Sequence, residues 1–219
     1  MHFEILVEGQ TELTALSILM KNIVGKYDQP HTWKIHKHQG IGKIPIDPTI
    51  RPNRCDRTLL HNLPSKLRAY GEEDRDDLFV IVLVDLDERE DCIGFKSEIS
   101  DLLDYCDNRP NCLFRIAIEE LEAWYLGDQV AIKNAYPNAN QEIMSEYMQE
   151  SQCGTWEKLA DSIHPGGLSA LRTMGKRSVR ILEQKVVWAK KITPFMDVDS
   201  NRSKSFQVFR DGIRTLAGI

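Results

Sequence analysis

The sequence contains no apolar run long enough to cross a bilayer, and its start, MHFEILVEG, lacks the basic leader and small-residue cleavage site of a secretory signal. Both absences lead to the expectation of a cytoplasmic protein with no membrane partner. The five cysteines, Cys55, Cys92, Cys106, Cys112 and Cys153, form no CxxC pair, which removes zinc ribbons and dithiol redox motifs. Neither GxxxxGK(S/T) nor GxGxxG is complete, and Gly40-Ile41-Gly42-Lys43 is only a fragment of a phosphate loop. There is no GxSxG and no ordered Ser/His/Asp set, so serine-hydrolase chemistry has no support. Internal repeats and low-complexity tracts are also missing.

What is present is a chain of 219 residues, 42% hydrophobic and 28% charged, the size and balance of a globular protein able to bury a core. The net charge of −5 conceals an asymmetry. Between Arg172 and Arg214 there are 11 Lys and Arg against 4 Asp and Glu, a local +7 that leaves the remainder at −12. An acidic body with a basic segment can combine a cation site with a polyanion-binding surface. A solvated helix face explains a basic run equally well.

Patterning along the chain alternates strand and helix. HFEILVEG reads as a strand closed by Gly9, and TELTALSILMKNIVGKY as a helix with Thr11 as its N-cap. TWKIHKHQG reads as a second strand, leading into a loop whose prolines Pro45, Pro48 and Pro52 forbid regular structure. A helix from about Thr58 to Tyr70 precedes the strand FVIVLVD, and FKSEISDLLDYC, CLFRIAIEE and LEAWYL continue as helix, strand and helix. Beyond Asp128 the strand signals stop, and GTWEKLADSI, ALRTMGKRSVRILEQKVVWAKKI and SFQVFRDGIRTLA read as helices, the first two separated by a turn at His164-Pro165-Gly166-Gly167. Strands that are continuously apolar belong to a parallel sheet covered on both faces. The expected fold is therefore α/β, a Rossmann-like parallel sheet of about four strands flanked by helices over residues 1–127, with a C-terminal helical extension over 128–219.

Three of these strands end in carboxylates: Glu8 after ILV, Asp85 and Asp87 after FVIVLV, and Glu119, Glu120 and Glu122 after FRIAI. In an open parallel sheet the ligand crevice lies beyond the carboxyl ends of the strands, so these acids should gather there, with alternation sending Asp85 and Asp87 to one side. Two carboxylates about 4 Å apart repel by roughly 4 kcal/mol at an effective dielectric near 20, so such a group must take up protons or bind a cation. Oxygen-only ligation suits Mg²⁺, then Mn²⁺, and such an ion suits phosphodiester hydrolysis. A single acid at a strand end is more simply a solvated turn residue; three strand ends together favour the clustered reading.

Other residues are less decisive. Glu12 either supports the ligands from the first helical turn or meets the helix dipole. His36 and His38 flank Lys37 on one strand without further ligands at metal spacing. Lys43, Arg51, Arg54 and Arg57 lie on the proline-containing loop, where they either meet substrate phosphates or are ordinary surface cations. Arg172, Lys176, Arg177 and Arg180 fall at the spacing of one helix face and are candidates for backbone contact with nucleic acid. Trp124 and Trp188 read as core.

Taken in order, VEGQTE and VDLDERE resemble the Toprim fold, the metal-binding module shared by topoisomerases, bacterial primases and nucleases of overcoming-lysogenization-defect type. With EELEAWYLGD they are more narrowly similar to an uncharacterised Toprim-like family that carries only a domain-of-unknown-function label. The resemblance spans Phe3 to about Asp128 and touches the tail only at SKSFQVF. It implies a Toprim-like metal-binding domain with Glu8 as the glutamate after the first strand and Asp85 and Asp87 as the DxD pair. Glu120 and Glu122 match the E-x-E-A core of the third motif, and Glu119 lies outside it. The implied activity is a Mg²⁺- or Mn²⁺-dependent nuclease, with Glu8 as a ligand or a general base. By analogy with small phage-defence effectors of this type, the expected partners are nucleic acid, an ATPase partner protein and further copies of the chain. Two alternatives stay open: a non-catalytic Mg²⁺-binding subunit beside an ATPase, and a primase-like nucleotidyl transferase.

Overall fold

The structure is a computed structural model that describes residues 1–151, 154–173, 175 and 179–219. Four strands, β1 (His2–Val7), β2 (Thr32–Lys37), β3 (Leu78–Asp85) and β4 (Cys112–Ala117), form one sheet in the order β2-β1-β3-β4, and every neighbouring pair is parallel. The connections are helical: α1 (Gln10–Val24) joins β1 to β2, α2 (Leu59–Gly71) joins β2 to β3, and α3 (Cys92–Ser100), extended by a 3-10 turn over Asp101–Tyr105, joins β3 to β4. The α/β fold with a parallel sheet flanked by helices is thus as the apolar strands demand. Chain order reverses between β1 and β3, because β1 leads outward to β2 and β3 leads outward to β4. That reversal opens a crevice at the carboxyl ends of β1 and β3.

Side-chain alternation gives the sheet two apolar faces. Phe3, Ile5 and Val7 of β1 and Ile81 and Leu83 of β3 face α1, whereas Leu6, Val80, Val82 and Val84 face α2 and α3. The helical extension covers the first face. α4 (Glu122–Leu126), which precedes Asp128, packs into the same layer as the helices of the extension, α5 (Gln129–Ala135), α6 (Gln141–Ser145), α7 (Thr155–Ile163), α8 (Gly167–Arg172), α9 (Val179–Ile192) and α10 (Lys204–Ala217). Trp124 and Trp188 are both fully buried in this layer. The Trp124 ring lies 5.1 Å from those of Phe206 and Phe209, and its indole N–H donates to Ser205 Oγ at 3.0 Å. Residues on both sides of Asp128 therefore build one continuous core.

Three local expectations change. Gly9, not Thr11, sits at the N-cap of α1, and Thr11 is buried inside the helix. The long basic helix expected around Arg172–Arg180 is two helices, because Gly175 takes φ 95°, a left-handed conformation that a helix cannot continue through. The strand ends at Asp85, and Asp87 follows at φ 52°, so a turn and not strand alternation places it.

Candidate functional site

The carboxyl edge of the sheet is held together by backbone and side-chain bonds between strand ends. Glu8 leaves β1 and accepts a hydrogen bond from the backbone N–H of Asp85, the last residue of β3, at 2.8 Å. The turns after β3 and β4 are joined in the same way: Leu86 N–H donates to Ala117 O at 2.9 Å and Asp87 N–H to Glu119 O at 2.8 Å. Asp87 and Glu119 both have positive φ, 52° and 66°. For residues with a Cβ that backbone is unfavourable, and such strain collects where geometry serves a site.

The sequence-predicted acids Glu8, Asp85, Asp87, Glu120 and Glu122 come together here, and Glu12 joins them from the first turn of α1. Burial and then the neighbouring carboxylates push the Glu8 carboxyl up to about 8, against the hydrogen bond from Asp85 that favours its charge. Asp85 is raised well above the usual range by burial and by Glu8, Glu12, Glu122 and Glu120. Glu120 rises to about 7 through burial and Glu122, although Lys185 opposes the shift. Glu12 is raised by burial and Glu122, while its carboxylate takes backbone hydrogen bonds at Glu12 itself and Gly9. Glu122 is 1% exposed, and its Oε1 is a buried oxygen without a hydrogen-bond partner, as is Asp85 Oδ1. Asp87 is exposed and lies 3.7 Å from the Arg89 guanidinium.

The pocket contains residues that the sequence reading did not find. Lys185 of α9 places its Nζ 3.4 Å from Glu120 Oε2 and 3.3 Å from Glu122 Oε2, over the Trp156 ring. Burial alone would lower its pKa, but Glu122, Glu120 and Asp85 together hold it above the ordinary lysine value. The Tyr125 hydroxyl is buried without a partner, and its pKa is driven up by burial and by Glu122, Glu12 and Asp85. Glu157 Oε2 is likewise buried and unpartnered, while its Oε1 lies 4.0 Å from Arg172. Lys185 lies in α9 four residues after the buried Ile181 and three before the buried Trp188, on the face that packs inward, yet a lysine within a helix this rich in charge reads as a solvent-facing residue.

The remaining candidates lie elsewhere. Glu119 is turned away and accepts from the Tyr147 hydroxyl at 3.2 Å. His36 contacts Glu4, and His38 bonds the carbonyl of Val7 through Nδ1. Lys43, Arg172 and Arg180 are exposed, on the loop, at the end of α8 and at the start of α9 respectively. Lys176 and Arg177 lie outside the described residues.

Set against a divalent ion, the donor chemistry fits. The oxygens are carboxylate only, two are buried without a partner, and burial followed by mutual repulsion raises pKa values that a cation would bring down. Among the described residues, though, no three His, Cys, Asp or Glu side chains are arranged to hold a metal ion as they stand, and Lys185 already sits against Glu120 and Glu122. Ligation would thus need those side chains to turn inward. Among the described residues no helix is long and apolar enough to cross a membrane.

Comparison with known proteins gives a family. The model described as Domain of unknown function (DUF4276) matches residues 7–214, nearly the whole chain, and the protein belongs to that family. No curated protein and no solved structure matches it.

Proposed function

We propose that this DUF4276 protein is a cytoplasmic, metal-dependent nuclease with a Toprim-like site, hydrolysing phosphodiester bonds of DNA or RNA. The observation that carries the reading is the meeting of acids from three strand ends at the crevice between β1 and β3, with Asp85 Oδ1 and Glu122 Oε1 buried and unpartnered. Glu8, Asp85, Asp87, Glu120 and Glu122 would hold Mg²⁺ or Mn²⁺. The ion, when bound, supplies charge neutralisation and Lewis acidity toward the phosphodiester. Lys185 balances the Glu120–Glu122 pair, and the Glu8 bond to Asp85 N–H fixes the two strand ends relative to each other. Arg172 and Arg180, on the basic segment, supply phosphate contacts, and an ATPase partner in phage defence fits the small-effector analogy.

The test is incubation of the purified chain with DNA and with RNA in Mn²⁺, beside Asp85→Ala. Cleavage lost in the variant is expected; no cleavage of either polymer, or equal cleavage by both proteins, overturns the reading. The placement of Lys185 favours one second reading, a subunit whose pocket binds Mg²⁺ without turnover. Calorimetric Mg²⁺ binding with no cleavage in the presence of an ATPase partner would select it.

A further inference from the structure

An acid pocket repels the polymer it would cut, so a nuclease of this kind needs cations beside the pocket to hold the substrate. The structure has such a place at the edge of the sheet. An open groove of about 420 Å³ runs between the end of β2, the loop that follows it and α2, with His36, Lys37, His38, Arg54, Arg57 and Lys66 among its lining residues. Lys37, Arg54 and Arg57 are exposed and Lys66 is half-buried. Among the described residues none of these four makes an ion pair. The acid in the lining, Asp56, is engaged otherwise: its Oδ1 accepts from the Thr58 N–H at 2.9 Å and hydroxyl at 2.6 Å, and its Oδ2 faces His61 at 3.7 Å. Lys66 is pressed below its ordinary pKa by burial, with Glu4 opposing and Lys34 adding to the shift.

The arginines sit on an anchored loop. Gln39 N–H donates to Arg57 O at 3.0 Å, and Leu59 and Leu60 donate to Gly40 and Ile41 at 3.0 and 2.8 Å. Asn62 of α2 reaches the carbonyls of Asp56 and Thr58 at 2.9 and 2.7 Å, and His61 Nε2 accepts from Asn53 N–H at 3.0 Å. A backbone tied down in this way loses little freedom when a ligand binds, which favours affinity. The groove also adjoins the acid pocket. His38 N–H donates to Val7 O at 3.0 Å and Gly40 N–H to Glu8 O at 2.9 Å, so the end of β2 is bonded to the residues that open the pocket.

We propose that this groove is the track for the sugar–phosphate backbone of a DNA or RNA strand, with Arg54 and Arg57 as its phosphate forks and Lys37 and Lys66 as point charges beside them. Guanidinium forks match phosphate oxygens two at a time, and lysine adds charge without fixed direction. The track rests on the acid pocket being the place of phosphodiester cleavage, since the strand held in it continues over Glu8. Lys43 is exposed on the same loop but outside the lining, so it is not part of the track.

The experiment measures binding apart from turnover. The whole chain, wild type and R54A/R57A, is titrated in EDTA into a fluorescent 15-residue oligodeoxynucleotide and into the oligoribonucleotide of the same sequence, across a salt series. Release of counterions gives a slope of about −0.7 per phosphate contact on a single strand, so losing two contacts should flatten the salt dependence by about 1.4 on at least one polymer. The arm with the larger change names the polymer, and an unchanged melting transition confirms that the variant is folded. Wild-type affinity and slope on both polymers overturn the track. If R54A/R57A binds weakly while the wild type cuts neither polymer in Mn²⁺, the track stands and the nuclease reading falls. If the variant binds as wild type while Asp85→Ala abolishes cleavage, the reverse holds.

Discussion

The Glu8 carboxylate accepts the backbone N–H of Asp85 at 2.8 Å, so a side chain leaving one strand closes the end of the neighbouring strand in the sheet. This bond separates two properties of Glu8, its shape and its charge. Glu8→Gln retains an oxygen acceptor and removes the charge. In EDTA above about pH 8, where Glu8 would carry its charge, the variant should melt at or above the wild-type temperature because one repelling carboxylate has gone, while metal-dependent cleavage falls by about a hundredfold or more. Glu8→Ala also leaves the Asp85 N–H without its acceptor, which costs about 1–3 kcal/mol. Thermal melts and cleavage rates on both variants check this: equal melting of the Gln and Ala variants would show that the bond does not matter, and full activity in Glu8→Gln that the charge does not.

The raised pKa values give stability a definite dependence on pH. In the folded protein Glu8 titrates near 8 and Glu120 near 7, far above an unfolded glutamate, so between those values the folded state holds more protons. More protons on the folded side means that stability falls as pH rises. Two histidines, His31 and His38, are lowered by burial and contribute the opposite slope, but only up to their ordinary range near 6.5. The thiols Cys92, Cys106 and Cys112 are raised and act only higher. Urea unfolding in EDTA should therefore show stability decreasing from about pH 7 to about pH 8, and the E8Q/E120Q double variant should flatten that slope. Added Mg²⁺ should restore more at the higher pH, where the ligands are already deprotonated. A flat profile in the wild type would mean that the pocket is not the low-dielectric acid cluster described.

Lys185 is the counter-charge for Glu120 and Glu122, and removing it tests how dry the pocket is. Lys185→Met keeps the length of the side chain and leaves the carboxylates facing each other. Breaking a buried pair from one side typically costs about 3–5 kcal/mol. The loss should be smaller near pH 6, where Glu120 takes up a proton, and Mg²⁺ should recover part of it by binding the folded state. Denaturant melts at both pH values, with and without Mg²⁺, read these effects. An equal loss at both pH values with no recovery would assign Lys185 a packing role only.

Much of this was legible in the sequence, and the failures have physical causes. The strands could be read because a strand buried on both faces is a continuous apolar run, as in Leu78–Asp85. The acids could be read because Glu8 and Asp85 follow such runs directly and Glu120 follows one with only Glu119 between. Lys185 and Tyr125 were not legible, since a lysine in an amphipathic helix ordinarily points to water and a tyrosine beside Trp124 ordinarily packs in a core. The sequence offers one helix across Arg172 and Arg180, whereas Arg172 ends α8 and Arg180 lies in α9, with Gly175 in a left-handed conformation between them; a glycine inside an apparent helical pattern does not by itself announce such a break. The short helices over Gln129–Ala135 and Gln141–Ser145 bury few apolar residues and leave no amphipathic signal.

Dependence of the α/β part on its helical extension is the remaining consequence to test. Trp124 belongs to the last helix before Asp128, yet it is buried by Phe206 and Phe209 of α10, its N–H is satisfied by Ser205, and its carbonyl accepts from Asn201 at 2.8 Å. On β4, Arg115 donates to the carbonyl of Val208 at 3.1 Å, so α10 also satisfies the flank of the sheet. Phe206→Ala should destabilise the whole protein by about 3–5 kcal/mol, the usual range for emptying an aromatic core site. A fragment ending at residue 127 would expose Trp124, the outer side of α1 and the part of the sheet over β4 that α10 covers, and should show no cooperative unfolding transition. Calorimetry on the fragment and urea melts on the variant decide it. A sharp transition in the fragment would mean that residues 1–127 fold alone and that the extension merely leans on them.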